Sequence, residues 1–296
     1  MTVVPTTIVC PYCHVRAPGF ARFCGRCGKQ TVLNPAGPEY RLTRVVKSGG
    51  QGTLYQGVDN GGKIYAVKKL LDQSGDPEER ALALEMFEQE AKLLMQLDHP
   101  RIPRVYACFA DSVGTRFMAQ DYLIGRDLEE VLLFVLKQGR KLPVELVLRW
   151  GEQICEVLEY VHKMGLIFRD MKPSNVMMTK ADYGITVVDF GNVSLINSIQ
   201  TSIGTAGYAP KEQYRGKAKP VSDIYALAAS LHYLLTGMDP TDNPFQFASL
   251  CSVRPDVPYY VAEAIHTALL EDDSKRPQTP SVFTAMLNGY DMAMVS

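Results

Sequence analysis

The hydrophobic period changes after residue 70 of this chain, and that change limits what it can fold into. Between residues 41 and 70, short apolar runs flank a glycine cluster in RLTRVVKSGGQGTLYQGVD and KIYAVKKLL, as antiparallel strands do. At Asp76-Pro77 a helical pattern takes over. A candidate N-cap precedes a proline at the first helical position, and Leu82, Met86, Leu93, Leu94 and Leu97 keep one face apolar. Past residue 125 the chain reads as mainly helical, with long segments near 144–164, 220–236 and 259–270. A chain of 296 residues suits a two-lobed domain plus a small addition, and it holds no internal repeat or low-complexity tract.

The addition is N-terminal. Cys10-Pro-Tyr-Cys13 and Cys24-Gly-Arg-Cys27 are two C-x2-C pairs separated by ten residues. Each pair can place two thiolates on one cation, and together they complete the closed, tetrahedral, all-sulfur set of a structural zinc site. Gly28 suits a tight turn that aims backbone amides at sulfur. Two disulfides or a redox pair are the alternatives, and no βαβ context surrounds the cysteines. The remaining three of seven cysteines, Cys108, Cys155 and Cys251, are scattered singly, which favours metal ligation plus buried thiols in a reducing compartment. His14 could replace a ligand in principle, but with four cysteines present it is expected at the surface. Residues 1–30 thus read as a zinc ribbon, and residues 31–39 (TVLNPAGPE) as a Pro/Gly-marked linker.

A net charge of −1 provides no global field for nucleic acid or an anionic membrane, so both are disfavoured as partners. No apolar run approaches the roughly 20 residues that span a bilayer. The opening MTVVPTTIVC lacks the basic flank and apolar core of a leader, so the chain reads as cytoplasmic.

From residue 41 onward, residues suited to phosphate chemistry come in a fixed order. Ser48-Gly49-Gly50-Gln51-Gly52-Thr53-Leu54 lies between two strands, where glycines let amides approach phosphates. Ala66-Val67-Lys68 follows on a strand, and Glu90 lies in the helical segment FEQEAKLL. Downstream, IFRDMKPSNVM carries Asp170, Lys172 and Asn175, and Asp189-Phe190-Gly191 begins fourteen residues after Asn175. Gly204-Thr205, Pro210-Lys211-Glu212, Ser222-Asp223 and Arg276 complete the series. In order and spacing this resembles the protein-kinase signature set, and the chain is identified as a member of the eukaryotic-like (bacterial-type) serine/threonine protein kinases with an N-terminal zinc ribbon.

The resemblance implies an α+β, bilobal protein-kinase-like fold preceded by the small zinc ribbon, with a β-rich N-lobe and hinge over residues 40–123 and a helical C-lobe over 124–296. It implies ATP and Mg2+ (or Mn2+) as working cofactors beside the structural Zn2+. Ser48, Gly49, Gly50, Gly52, Leu54, Ala66 and Met177 would line the nucleotide, and Lys68 would hold its α- and β-phosphates. Lys68 would pair with Glu90, since Glu88 points to a different helix face. Gln120 would stand beside the adenine, and backbone groups of Asp121 and Leu123 would bond it. Asp170 would accept the proton of the substrate hydroxyl, Lys172 would neutralise charge on the γ-phosphate, and Asn175 and Asp189 would hold magnesium. Asp223 would bond the catalytic-loop backbone, and Glu212 would pair with Arg276. Arg169 would bind a regulatory phosphate on Thr201, eleven residues before Glu212, while Thr205 would contact Asp170 and Lys172. Departures from the pattern are Lys47 for the first glycine, Gln51 for an aromatic loop tip, Phe168 for histidine and Lys211 within Ala-Pro-Glu.

The implied reaction is transfer of the ATP γ-phosphate to protein serine or threonine hydroxyls, with autophosphorylation. Lys172 at its position marks the serine/threonine subclass. A pseudokinase scaffold that binds nucleotide without efficient transfer is the alternative, and a small-molecule kinase on a related fold is a third reading. Partners would be protein substrates and a docking partner of the ribbon.

Overall fold

The computed structural model describes residues 4–34, 37–49, 52–70, 77–179, 183–196 and 204–290, without the side chains of 77–80, 82, 83, 86, 89 and 90. It forms two compact units, Met1–Asp98 with Pro103–Leu123, and His99–Ile102 with Ile124–Ser296.

The first unit is built on β-structure. Strands β1 (Thr7–Val9) and β2 (Arg16–Pro18) pair antiparallel beside the cysteine turns. The main sheet has six strands in the order β3-β4-β5-β6-β8-β7. They are β3 (Val32–Leu33), β4 (Tyr40–Gly49), β5 (Gly52–Asp59), β6 (Ile64–Leu70), β7 (Val105–Ala110) and β8 (Arg116–Asp121). The stretch expected as a linker therefore contributes β3, in register with Arg41 and Tyr40 of β4. Two residues are too few to show alternation in a sequence, but Val32 and Leu33 are both buried. Leu33, Tyr40, Leu42, Tyr55, Tyr65, Val67, Phe117 and Ala119 form one core cluster under the sheet. Tyr40 stacks on Phe109 and Phe109 on Phe117, with centroids 5.7 and 5.6 Å apart. Helix α1 (Pro77–Leu94) starts at the proline the sequence indicates, while Asp76 lies outside the described residues.

The second unit is largely helical. Helices α2 (Leu128–Leu136), α3 (Val144–Lys163), α4 (Lys211–Tyr214), α5 (Pro220–Thr236), α6 (Leu250–Val253), α7 (Tyr259–Ala268) and α8 (Pro280–Leu287) carry it. Helix α5 is buried from Val221 to Leu235 on every side, as its near-continuous apolar sequence requires. It starts with Pro220 in the first turn and a capping box in which Ser222 Oγ accepts the Lys219 amide, and it ends at Gly237, whose φ of 76° gives the left-handed cap. Helix α3 buries Val147, Trp150, Ile154, Val157, Leu158 and Val161 against α5 and α8. Two small sheets complete the unit: β9 (Gly125–Asp127), β11 (Val176–Thr179) and β12 (Ile185–Val187) in one, β10 (Leu166–Ile167) and β13 (Ser194–Leu195) in the other. The β11–β12 hairpin carries Asn175 at its start and Asp189 just past its end. Among the described residues no helix is long and apolar enough to cross a membrane.

Candidate active site

In the second unit the loop that carries Asp170 is held by a buried carboxylate. Asp223, fully buried near the start of α5, accepts the amides of Phe168 at 2.9 Å and Arg169 at 2.7 Å, and His162 Nε2 bonds the same carboxylate at 2.7 Å. These bonds hold Arg169 at φ 70°, a left-handed conformation that side-chain-bearing residues rarely adopt. Gln213 of α4 donates to the Arg169 carbonyl at 2.7 Å. Burial holds the Arg169 guanidinium below its ordinary pKa, and the Asp223 charge opposes that shift. Phe168 is fully buried and meets Phe190 edge to face at 5.0 Å, so an aromatic side chain in place of histidine serves as packing.

That support lifts Asp170 into a set of three donors. Thr205 Oγ1 donates to Asp170 Oδ1 at 2.7 Å, Lys172 Nζ reaches the two carboxylate oxygens at 3.2 and 3.1 Å, and Asn175 Nδ2 donates to Oδ2 at 3.0 Å. Lys172 also donates to Thr205 Oγ1 at 2.7 Å. Asn175 Nδ2 further binds the Asp170 carbonyl at 2.9 Å, so the amide nitrogen is used inside the loop and its oxygen is the end suited to a cation. The Val188 amide donates to the Asn175 carbonyl at 2.8 Å, which brings Asp189, one residue on, beside Asn175. Asp189 itself has φ 63°. An amide oxygen and a carboxylate are the hard-oxygen ligand types that magnesium takes.

Farther along, Arg276 is almost fully buried and forks onto Glu212 at 2.6 and 3.2 Å. Its remaining donors meet the carbonyls of Leu270 and Glu271 at 2.7 and 3.2 Å, and Ser222 Oγ adds a bond to Glu212 at 2.8 Å. This pair ties α4, and with it Gln213, to the chain before α8.

In the first unit the glycine-rich hairpin sits where the sequence puts it. Ser48 faces Thr53 and Gly49 faces Gly52 across β4 and β5, with Ser48 Oγ 3.1 Å from Thr53 Oγ1. At Gly52 a side chain is excluded, because a Cβ would stand 2.4 Å from the Lys69 carbonyl. Leu54 registers with Lys68, Ala66 with Gln120 and Tyr65 with Asp121. Asp121 spends its N–H on the Arg104 carbonyl at 3.0 Å and its carboxylate on the Arg104 amide and Tyr106 hydroxyl. Glu88 is engaged by Arg116 at 3.0 Å. Gly50, Gln51, Thr201 and the Glu90 side chain lie outside the described residues.

The four N-terminal cysteines also meet. Their sulfurs lie within 4.8 Å of one another, with Cys10–Cys27 and Cys13–Cys24 each at 3.6 Å. Sulfurs on a tetrahedron with bonds of about 2.3 Å stand about 3.8 Å apart, so the cluster fits a four-thiolate zinc ribbon. Amides of Cys27 and Arg26 aimed at the Cys24 sulfur lower its pKa to about 6, whereas burial pushes Cys10 up.

His162 and Gln213 received no role from the sequence. Gln213 adjoins Glu212 in the quoted motif, and that adjacency was the available signal; His162 reads only as one more polar residue late in α3.

Residues 40–277 match the protein kinase domain family, and the chain belongs to that family. Serine/threonine-protein kinase B of Synechocystis is 31% identical over 250 residues, covering 79% of this chain and 42% of that protein. The probable serine/threonine-protein kinase PknB of Corynebacterium glutamicum is 32% identical over 285 residues, 87% of this chain and 43% of its own length. The chain thus spans somewhat under half of these relatives. The crystal structure of the Mycobacterium tuberculosis PknI kinase domain aligns with a TM-score of 0.68 at 26% identity, covering 86% of this chain and 96% of that one.

Breaking the Glu212–Arg276 pair from one side strands a buried charge. Arg276→Ala is expected to cost about 3–5 kcal/mol in urea unfolding of the second unit. A cost below about 1 kcal/mol would contradict the role given to the pair.

Proposed function

We propose that this chain is an ATP-dependent serine/threonine protein kinase. The observation that carries the reading is the Asp170 carboxylate held jointly by Lys172, Asn175 and Thr205, with Asp189 beside Asn175. Asp170 would orient a substrate hydroxyl and accept its proton, and Lys172 would bring positive charge to the transferring phosphate. Lys68 would hold the α- and β-phosphates with Glu90 as its partner, under the hairpin of Ser48, Gly49, Gly50 and Gly52. Leu54, Ala66, Gln120 and Met177 would line the base, and backbone groups of Asp121 and Leu123 would bond it. Asn175 and Asp189 would hold magnesium, which neutralises charge on the phosphates. Catalysis then comes from position and charge.

The pseudokinase alternative has less support, because Phe168 and Lys211 depart from the pattern at packing and surface positions while every charged position is retained. Residues 1–30 form the zinc ribbon of this proposal, 40–123 its N-lobe and hinge, and 124–296 its C-lobe, and the reducing cytoplasm is the compartment that suits four free thiols.

Asp170→Asn is expected to lower autophosphorylation, followed by mass spectrometry, at least about a thousandfold while nucleotide affinity holds; Lys68→Met should weaken both. Robust transfer by Asp170→Asn would sink the assignment.

Phosphorylation at Thr201, paired with Arg169, would order the activation segment. Thr201→Ala should then show a several-fold lower kcat after full ATP incubation. An unmodified segment in fully active enzyme would exclude this switch.

Metal analysis after chelator-free purification should return one zinc per chain. A metal-free chain with intact disulfides would overturn the ribbon assignment.

A further inference from the structure

The turn that carries the first two cysteines is bonded to the sheet beside it. The Pro11 carbonyl accepts the Tyr55 hydroxyl at 3.2 Å and the Lys69 ammonium at 2.7 Å. His14 Nε2 bonds the same Tyr55 hydroxyl at 2.9 Å. The Tyr12 ring carries Lys69 Nζ 4.9 Å from its centroid, and the Tyr12 hydroxyl donates to Asp111, in the turn joining β7 and β8. Arg41 Nε, on β4, donates to the Gly19 carbonyl at 3.2 Å. One five-residue turn, Cys10–His14, thereby touches β5, β6 and the β7–β8 turn. His14, expected at the surface, is exposed yet also part of this contact.

Lys69 gives the contact its consequence. Successive side chains of a strand point to opposite faces, so fixing Lys69 on the cysteine side sets the rotation of β6 at Lys68. The same residue packs against the glycine hairpin. Thr53 registers with Lys69, and the Lys69 carbonyl occupies the space a side chain on Gly52 would need. The shape of the turn depends in turn on its sulfurs, since the Tyr12 amide points at Cys10 Sγ at 3.5 Å.

We propose that the Cys10–His14 turn is a positioning element of the nucleotide unit. With its thiols on metal, Pro11, Tyr12 and His14 hold Lys69 and Tyr55, and so fix Lys68 and the root of the glycine hairpin for nucleotide. The assignment rests on the phosphotransfer reading for its nucleotide arm only. The ribbon is then a built part of that unit, and metal loading governs nucleotide affinity.

The test uses the full chain with two readouts, fluorescence titration with a mant-labelled ATP and amide hydrogen exchange across β5 and β6. Tyr12→Ala is expected to retain one zinc, to weaken mant-ATP about tenfold and to speed exchange around Lys68. Tyr12→Phe, which keeps the ring over Lys69 and loses the Asp111 bond, should fall between it and the parent, and it decides the matter if Tyr12→Ala fails to fold. Chelation of the parent chain should give the same loss of affinity, reversed by zinc. Unchanged exchange in a zinc-loaded Tyr12 variant would overturn the proposal. A parent chain that binds no mant-ATP would strike the phosphotransfer reading instead, with exchange still judging the clamp.

Discussion

The second unit is organised around Asp223. A fully buried carboxylate is tolerable only when its oxygens are bonded, and here the amides of Phe168 and Arg169 and the His162 ring do that. Each bond to a charged acceptor contributes about 1.5–3 kcal/mol, enough to offset the roughly 1–3 kcal/mol of holding Arg169 at positive φ. The turn forced on Arg169 is what delivers Asp170 to Lys172, Asn175 and Thr205. Without Asp223 the loop would have no reason to keep that shape.

Support for the loop extends through the backbone. Gln213 holds the Arg169 carbonyl, Glu212 next to it is anchored by Arg276, and Ser222 bridges Glu212 to the first turn of α5, where Asp223 itself sits. Loop, α4 and α5 therefore close a ring of polar contacts. Such networks are stiff when complete. Arg276 shows the arrangement well, with a carboxylate, two carbonyls and the face of Tyr225 at 4.9 Å around one guanidinium.

Much of this was legible in the sequence because the chemistry needs charged residues at fixed spacing. Asp170, Lys172, Asn175, Asp189 and Asp223 stand out through the order and spacing of the kinase signature they match, and Glu212 and Arg276 through its ion pair. The long helices were equally plain, since α3, α5 and α7 repeat their apolar residues over many turns. What escaped notice has no such periodicity. Strand β3 is two residues inside a Pro/Gly-marked stretch. His162 acts through a single bond, and the contact of Pro11 uses a backbone carbonyl that any residue possesses. Tyr55 and Lys69 lie in runs that read as ordinary strand, and only pairing across the sheet brings them to the cysteines.

The family model spans residues 40–277, and the four cysteines with their seat on β5 and β6 begin before it. The proposed reaction moves phosphate from ATP to a serine or threonine hydroxyl. The most direct measurement is incubation of the purified chain with magnesium, γ-labelled ATP and casein, followed by phosphoamino-acid analysis of the labelled protein. Label on phosphoserine and phosphothreonine is predicted, and a chain that binds ATP yet transfers no label to casein or to itself would contradict the account.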